Sequence, residues 1–233
     1  MTKAKLVILR HGETEYNKQR LLTGKHDAQL TETGKQQANE AGVLISPIRF
    51  DKAYSSNLSR AFNTAALALK SSKTQTHLLN QDGSWQIEQR PEIAEIDCGD
   101  FSGRSKDDPE VLRFPWSYEA SLPGGESQKQ VVARLQKFFD TEIMPRLSRG
   151  ENVLIVAHSG ILRAFDIVLG IHEVSSAPGQ PSRKKSIPNA APTVYEYENG
   201  VMTGFFYLGN PKTPDAANQN IPPLTNKKQG PKI

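Results

Sequence analysis

One stretch near the N-terminus decides the fold of this chain, Leu6-Val7-Ile8-Leu9-Arg10-His11-Gly12-Glu13-Thr14. Its four consecutive apolar residues predict a strand that is buried on both faces, as strands are inside a parallel sheet. The strand ends at Arg10 and His11, and open α/β sheets place their ligands at this carboxyl edge. Gly12 allows the backbone to turn sharply and to approach a ligand closely. The stretch therefore predicts a buried strand that presents an arginine and a histidine to a ligand site.

The same design returns in the second half of the chain, in Val153-Leu154-Ile155-Val156-Ala157-His158-Ser159-Gly160. This apolar run ends in His-x-Gly, and the spacing after it predicts a helix over Ile161–Leu169. Between the two motifs, helices are predicted over residues 14–19, 32–44, 57–70 and 128–144, and strands over residues 50–55 and 85–89. The form Thr33-Gly34-Lys35-Gln36 predicts a capping box at the start of the 32–44 helix.

The alternation of strands and helices predicts an α/β fold. Asn199-Gly200 is a hairpin signal between strands predicted over 193–198 and 204–208. We expect a three-layer sandwich whose mostly parallel central sheet carries this antiparallel edge hairpin, in one domain over residues 1–208. The polar stretch 179–185 is predicted as a loop. Residues 209–233, rich in Pro, Asn, Gln and Lys, are predicted as a flexible C-terminal tail.

Composition excludes several classes of protein. No apolar run in the 233 residues approaches the roughly 18 residues needed to cross a bilayer, so no membrane association is expected. The first residues lead straight into the strand, which predicts that there is no signal peptide. The single cysteine, Cys98, rules out an internal disulfide and favours a reducing, cytoplasmic location.

The basic balance favours small anionic ligands. The net charge is +4 and the isoelectric point is about 9.1. Part of the excess lies in a late loop and the tail, at Arg183, Lys184, Lys185, Lys227 and Lys228. No basic stripe is interleaved with aromatic residues, so no nucleic-acid partner is expected. No ligand spacing typical of zinc occurs, so no metal is expected.

Two strands of the same design bring His11 and His158 to one edge of the sheet. Arg10 accompanies the first histidine, and Arg60 lies one turn into the helix after the second strand, within reach of that edge. Groups of this kind that converge on one point form an oxyanion site, for which phosphate is the obvious ligand. A histidine with a free nitrogen can also attack phosphorus and form a phosphohistidine. The leaving oxygen needs a proton donor, which we expect in the irregular segment 91–125.

Short motifs spread over residues 5–208 reinforce this interpretation. They are Leu9-Arg10-His11-Gly12-Glu13-Thr14, Asn17, Thr23-Gly24, Ser56-Asn57-Leu58-Ser59-Arg60-Ala61 and Ala157-His158-Ser159-Gly160. In type and in order, these motifs resemble those of the histidine phosphatase superfamily, which includes the cofactor-dependent phosphoglycerate mutases. The resemblance implies a phosphoglycerate mutase-like fold and an enzyme that transfers phosphoryl groups.

The resemblance also implies a role for each matching position. His11 is the nucleophile that becomes phosphorylated, and Glu95, in Glu95-Ile96-Asp97-Cys98-Gly99, is the proton donor. The phosphoryl oxygens are held by Arg10, Arg60 and His158, and lesser phosphate or substrate contacts come from Asn17, Thr23, Gly24 and Ser159. No metal and no organic cofactor are implied for the chemistry, except 2,3-bisphosphoglycerate as a primer if the enzyme is a mutase.

The sequence favours a phosphatase over a mutase. The mutase branch has Glu-Arg-His-Tyr, an arginine pair before Ser-Tyr, and His-Gly-Asn-Ser. The corresponding segments here read Glu95-Ile96-Asp97-Cys98, Phe114-Pro115-Trp116-Ser117-Tyr118 and His158-Ser159-Gly160-Ile161. Loss of even one buried charge-assisted contact costs about 1.5–3 kcal/mol. We therefore expect a phosphatase of a small phosphorylated metabolite, with a 2,3-bisphosphoglycerate-dependent phosphoglycerate mutase as the alternative.

Part of the sequence still resembles the mutase branch, namely Thr23-Gly24, Gly124-Gly125-Glu126-Ser127 and Ile187-Pro188-Asn189. A catalytically silent protein that kept the pocket for phosphate recognition is a non-enzyme alternative, although all core residues are present. A nucleotide-binding protein is disfavoured, because neither Gly-x-Gly-x-x-Gly nor a Walker sequence follows the first strand. The sequence leaves open whether the chain forms a homodimer.

Overall fold

The computed structural model describes residues 1–172 and 187–209. Helices cover both faces of one sheet in this part of the chain, which confirms the predicted three-layer α/β class. The predicted loop 179–185 and residues 210–233 of the predicted tail lie outside the described residues, so the division into a domain and a tail stays a prediction. Within the described ranges, every helix is too short or too polar to span a lipid bilayer.

The central sheet has the predicted mixture of directions. Its strands are β1 (Lys3–Arg10), β2 (Lys52–Ser55), β3 (Ile87–Gln89), β4 (Val153–Ala157), β5 (Thr193–Glu198) and β6 (Val201–Tyr207). Among the described residues they form one six-stranded sheet in the order β3-β2-β4-β1-β5-β6. The first four strands in this order are parallel, whereas β5 is antiparallel to β1 and β6 is antiparallel to β5. Asn199 and Gly200 make the hairpin turn with positive φ angles of 51° and 76°.

The helices are α1 (Glu15–Lys18), α2 (Glu32–Ile45), α3 (Ser59–Ser72), α4 (Pro109–Arg113), α5 (Gln128–Phe138), α6 (Met144–Ser148) and α7 (Ser159–Val168).

Strand β1 has an uninterrupted apolar run because both of its faces are covered. Leu6 and Ile8 pack into the core formed with α5, α6 and α7, whereas Val7 and Leu9 pack into the core formed with α2 and α3. All four side chains are fully buried. This burial on both faces holds β1 in the middle of the sheet and fixes where its last residue, Arg10, emerges.

The start of α2 differs from the prediction. Its N-cap is Thr31, whose hydroxyl accepts a hydrogen bond from the Gly34 N–H at 3.0 Å. An N-cap needs an extended backbone, which Thr31 adopts at φ −71° and ψ 167°, whereas Thr33 already lies within the first helical turn. The predicted capping box at Thr33 is therefore wrong by two residues, although the predicted range of the helix is nearly correct.

The helix predicted over residues 128–144 is wrong in detail. α5 ends at Phe138, and a π-helical turn, Phe139–Ile143, joins it to α6. Pro145 has no N–H with which to continue the regular hydrogen-bond pattern, and its ring would clash with the carbonyl four residues before it. The wider turn before Pro145 relieves this conflict, which apolar spacing alone does not reveal.

Candidate active site

The two histidines leave the sheet side by side because their strands are neighbours. β1 and β4 pair in parallel with Arg10 opposite Ala157, so His11 and His158 follow at the same level. The backbone N–H of His11 donates to the Ala157 carbonyl at 2.9 Å. The two imidazole rings lie 5.1 Å apart, centroid to centroid. The pairing expected from the sequence is therefore present at the carboxyl edge of the sheet.

The environment of His11 leaves one of its ring nitrogens with a free lone pair. Its Nδ1 lies 2.7 Å from the Gly12 carbonyl, which only accepts, so Nδ1 carries the proton and Nε2 keeps its lone pair. Burial, followed by the charges of Arg60 and Arg10, holds the pKa of His11 well below its usual 6.5. A Cβ on Gly12 would lie 2.2 Å from the Gly34 carbonyl oxygen, so only glycine permits this close packing against α2.

His158 has both ring nitrogens engaged. Arg60 Nε donates to His158 Nδ1 at 3.2 Å, so the ring proton lies on Nε2, which is 2.7 Å from Ser56 Oγ. Burial lowers the pKa of His158 most, followed by the positive charge of Arg60 and the nearby His11. Ser56 was not singled out from the sequence as a site residue, although it belongs to the motif that contains Arg60.

The two arginines of the site are anchored differently. Arg60 is fully buried, and its Nη1 and Nη2 donate to the carbonyls of His26 and Gly24 at 2.6 and 2.8 Å. Arg10 donates through Nη1 to the Ile187 carbonyl, whereas its buried Nε has no hydrogen-bond partner among the described residues. Burial lowers the pKa of both guanidinium groups, that of Arg10 to about 10. An anion bound here would supply the acceptor that Arg10 Nε lacks.

Glu95 lies at the amino end of α7. Its Oε1 accepts hydrogen bonds from the backbone N–H groups of Ile96 and Gly160, at 3.0 and 3.1 Å. A Cβ on Gly160 would lie 2.4 Å from that oxygen, so the glycine of His-x-Gly makes room for the carboxylate. The neighbouring carboxylates are engaged elsewhere, Glu92 with Arg90 and Asp97 with Lys25. Glu95 is thus the carboxylate of this segment that reaches the site.

A cavity of about 630 Å³ joins the predicted site residues. Those that line it are Arg10, His11, Asn17, Thr23, Gly24, Arg60, Glu95 and Ser159. His158 lies behind this lining, in contact with Arg60. Asn17 is fixed by Asn189, whose Nδ2 donates both to Asn17 Oδ1 and to the His11 carbonyl. The structure therefore brings all the predicted residues to one place, with His158 directly behind the residues that line the cavity.

Sequence reasoning missed several residues of the cavity wall: Arg20, Leu21, Leu22, Ile96, Cys98, Lys106, Trp116, Gly160, Arg163, Ile187 and Asn189. Arg163 could have been found, because it follows Ser159 by four residues and so shares its face of α7. Lys106 and Trp116 come from the segment 91–125, in which only short helical pieces form and no period marks the inward-facing residues. Partial burial, followed by nearby arginines, lowers the pKa of Lys106.

The described side chains form no arrangement typical of a metal site. Over residues 1–172 and 187–209, no group of three or more His, Cys, Asp or Glu side chains is arranged to hold a metal ion. Cys98 lies in the cavity wall, where burial raises the pKa of its thiol to about 12. The thiol is therefore neutral at ordinary pH and a poor nucleophile.

The fold and the paired histidines define a class of phosphoryl-transfer enzymes. The family model of the histidine phosphatase superfamily (branch 1) matches residues 6–203. The chain belongs to this superfamily, as its motifs predicted, and it is a phosphoryl-transfer enzyme.

Relatives include both mutases and a phosphatase. The chain is 38% identical over 203 residues to a 2,3-bisphosphoglycerate-dependent phosphoglycerate mutase of Parvibaculum lavamentivorans, covering 83% of this chain and 90% of that protein. Among solved structures it is similar to phosphoglycerate mutase from Bacillus anthracis, with a TM-score of 0.69, 25% identity and coverage of 87% and 91%. It is also similar to a mycobacterial glucosyl-3-phosphoglycerate phosphatase in complex with VO3, with a TM-score of 0.65, 26% identity and coverage of 82% and 92%.

Proposed function

We propose that this enzyme is a phosphomonoester phosphatase that acts on a small phosphorylated metabolite through a phosphohistidine on His11. The hydrogen bond from His11 Nδ1 to the Gly12 carbonyl supports this role, because it leaves the Nε2 lone pair free to attack phosphorus. Arg10 and Arg60 line the same cavity, and their guanidinium groups would stabilise the charge on the phosphoryl oxygens during transfer.

In the first half-reaction, Nε2 of His11 forms a bond to phosphorus while the bond from phosphorus to the ester oxygen breaks. The leaving alkoxide needs a proton, and Glu95 would donate it from beside the amino end of α7. The phosphoryl group would then rest on His11 between the arginines. The remaining predicted contacts to phosphate or substrate are Asn17, Thr23, Gly24, His158 and Ser159.

In the second half-reaction, a water molecule attacks the phosphorus of the phosphohistidine. Glu95, now ionised, would take a proton from this water as the new P–O bond forms. The P–N bond breaks, its electron pair returns to Nε2 of His11, and inorganic phosphate leaves. One carboxylate therefore serves as acid and then as base, and the enzyme is restored.

The residues that segment 91–125 contributes to the cavity favour hydrolysis over isomerisation. All of this segment is described, and Lys106 and Trp116 from it line the cavity, but no arginine from it does. Pro115 and Trp116 stand where the mutase branch has its arginine pair before Ser-Tyr. A mutase must hold the dephosphorylated acid in place until the phosphoryl group returns. The other cations of the cavity wall, Arg20, Lys106 and Arg163, lie at other positions in the chain. Without the arginine pair to hold that acid, water would have access to the phosphohistidine.

A second candidate is a 2,3-bisphosphoglycerate-dependent phosphoglycerate mutase, for which 2,3-bisphosphoglycerate would act as primer. It is favoured by the mutase from Parvibaculum lavamentivorans, which is 38% identical over 83% of this chain. Arg20, Lys106 and Arg163 also supply cations at the cavity that a substrate carboxylate could contact. The silent phosphate-binding alternative is set aside, because the chain belongs to a family of enzymes and retains His11 and Glu95.

The test measures hydrolysis and isomerisation together. Wild-type protein is given an aryl phosphate, a panel of phosphorylated metabolites, and 3-phosphoglycerate with and without 2,3-bisphosphoglycerate. We expect phosphate release to exceed isomerisation by a wide margin. Isomerisation that outruns hydrolysis would instead identify a mutase and leave the role of His11 intact.

The covalent intermediate is tested on the same preparations. Wild-type protein treated with a reactive phosphodonor should carry an acid-labile, base-stable phosphoryl group, and His11→Ala should lose both this adduct and turnover. His172→Ala serves as the matched control, because His172 is an exposed histidine that does not line the cavity. Robust turnover by His11→Ala would contradict the phosphohistidine mechanism.

On the evidence of composition, we propose one domain over residues 1–208 and a flexible tail over residues 209–233. The single cysteine supports a cytoplasmic location. A homodimer is the assembly to test, and light scattering on purified protein would decide between one and two copies.

A further inference from the structure

A second, smaller cavity opens beside the candidate active site. It has a volume of about 130 Å³, and its apolar walls are Ile96, Trp116, Ala120, Leu122 and Val131. We call this space the apolar annex. The polar residues Ser117, Glu126, Gln128 and Arg163 also border it. The Glu126 carboxylate is already paired with Arg134 at 3.1 Å and accepts from the Asp97 N–H at 2.9 Å. Most of the surface that the annex offers to a ligand is nevertheless apolar.

The annex is continuous with the active-site cavity at the proton donor. Ile96, Trp116, Gly160 and Arg163 line both spaces. The N–H groups of Ile96 and Gly160 are the ones that hold the Glu95 carboxylate, at 3.0 and 3.1 Å. A general acid must lie within hydrogen-bond reach of the oxygen that it protonates. The organic group attached to that oxygen therefore emerges next to the annex.

We propose that the annex binds an apolar part of the leaving group, so that the substrate is a phosphate ester of an alcohol with an aliphatic or aromatic body. This inference rests on the proposed function, because it takes Glu95 as the donor to the leaving oxygen. The volume of 130 Å³ is close to the roughly 150 Å³ of an apolar cavity that binds benzene. The annex therefore has room for a group about the size of one aromatic ring.

Trp116 contributes an apolar ring to the wall of the annex. Its indole N–H donates to the Val111 carbonyl at 2.9 Å, so the ring needs no polar partner from a ligand. The ring packs edge-on against Phe114, with centroids 5.1 Å apart, which holds it in position. A compact, highly charged acid would gain nothing from this wall, whereas an alkyl or aryl group would be removed from water.

The test is the dependence of turnover on the length of the leaving group. We expect kcat/KM to rise from ethyl to butyl to hexyl phosphate, by about fourfold for each methylene that the annex buries. Ala120→Leu fills part of the annex without touching the phosphate site, so it should flatten this rise and leave ethyl phosphate unchanged. Ala133→Leu makes the same change at an exposed position of α5 and should behave as wild type.

A binding measurement separates this inference from the proposed function. Calorimetry with ethyl- and hexylphosphonate needs no turnover and should show the same chain-length preference, again lost in Ala120→Leu. Two results would contradict the proposed role of the annex and leave the proposed phosphatase activity intact. One is hydrolysis without a chain-length preference, and the other is a preference that Ala120→Leu does not change. A chain-length preference in binding without any hydrolysis would support the annex and overturn the phosphatase.

Discussion

Arg60 Nε donates a hydrogen bond to His158 Nδ1 at 3.2 Å, between two side chains that are fully buried. An arginine N–H only donates, so Nδ1 holds a lone pair and the ring proton lies on Nε2, 2.7 Å from Ser56 Oγ. In this state His158 has no N–H left for a phosphoryl oxygen. If His158 is to donate to a bound oxyanion, Nδ1 must gain a proton and Arg60 Nε must turn away from it, because two N–H groups cannot face each other.

We therefore expect oxyanion binding to take up a proton at His158. Burial, then Arg60, His11, Arg10 and Arg134, hold its pKa well below 6.5 in the unliganded protein, and a bound dianion would raise that pKa. Because the complex binds the proton more tightly than the free protein does, affinity should increase as pH falls. Sulfate is a suitable probe, since it does not titrate near neutral pH. Calorimetry in buffers of different ionisation enthalpy should give the number of protons taken up for each sulfate bound.

Two variants identify the residue that takes up the proton. His158→Gln keeps a side chain of similar polarity but cannot titrate, so its sulfate binding should lack this proton uptake. His11→Gln removes the other buried histidine, 5.1 Å away, and should keep the uptake. Equal uptake in wild type and His158→Gln would show that the proton goes elsewhere.

Ser56→Ala should weaken both the fold and the oxyanion site. Ser56 Oγ lies 2.7 Å from His158 Nε2 and accepts from the Leu58 N–H at 3.1 Å. Its removal leaves buried donors unsatisfied, at a cost of about 1–3 kcal/mol in unfolding free energy. His158 also loses the contact that fixes its proton, so inhibition by vanadate should weaken. Urea unfolding and inhibition assays measure the two effects.

The control for this variant is its neighbour in the chain. Ser55 is also fully buried, but its hydroxyl donates to the Ser56 carbonyl and does not contact His158. Ser55→Ala should therefore lose stability without a comparable change in vanadate inhibition. If both variants weakened inhibition equally, the effect would be one of general packing rather than of the bond to His158.

Sequence patterns alone predict where the two histidines of the candidate site lie. His11 and His158 each follow an uninterrupted apolar run, and such runs require strands that are covered on both faces. β1 and β4 therefore had to lie inside the sheet, and they proved to be neighbours. Glu95 was assigned by family resemblance, and its carboxylate does reach the cavity.

The remainder of the site depends on contacts that leave no periodic signal. Trp116 and Lys106 reach the cavity from a segment of short turns, where no spacing separates inward from outward residues. The bond between Ser56 and His158 joins residues 102 positions apart and depends on the packing of β2 beside β4. Such details are set by tertiary packing, which overrides local preference.

Gly160→Ala should reduce activity by displacing Glu95, the proposed proton donor. The added Cβ would lie 2.4 Å from Glu95 Oε1, so the carboxylate must move away. Alkyl phosphates need the acid, and we expect their turnover to fall by about 10²-fold or more, the contribution typical of a positioned acid. Gly204→Ala is the matched control, because a Cβ there meets no atom within 4 Å. Equal rates in the two variants would show that the position of Glu95 does not matter.

Glu95→Gln separates the two roles of the carboxylate. An alkoxide leaves poorly without a proton, so hydrolysis of alkyl phosphates should fall by about 10²–10⁴-fold. Aryl phosphates have leaving groups that hardly need a proton, so they should still phosphorylate His11. The second half-reaction would then lack its base, and rapid-quench kinetics should show a burst of aryl alcohol followed by slow turnover.

The neighbouring carboxylate provides the control for this last experiment. Glu92 lies three residues before Glu95, is paired with Arg90 at 3.2 Å, and does not line the cavity. Glu92→Gln should therefore hydrolyse alkyl and aryl phosphates at rates near wild type, without a burst. Glu95→Gln could also slow alkyl and aryl phosphates equally, with no burst in either variant. That result would indicate that Glu95 positions the substrate rather than transferring protons. The ratio of alkyl to aryl rates thus decides the role, because a merely structural change would lower both.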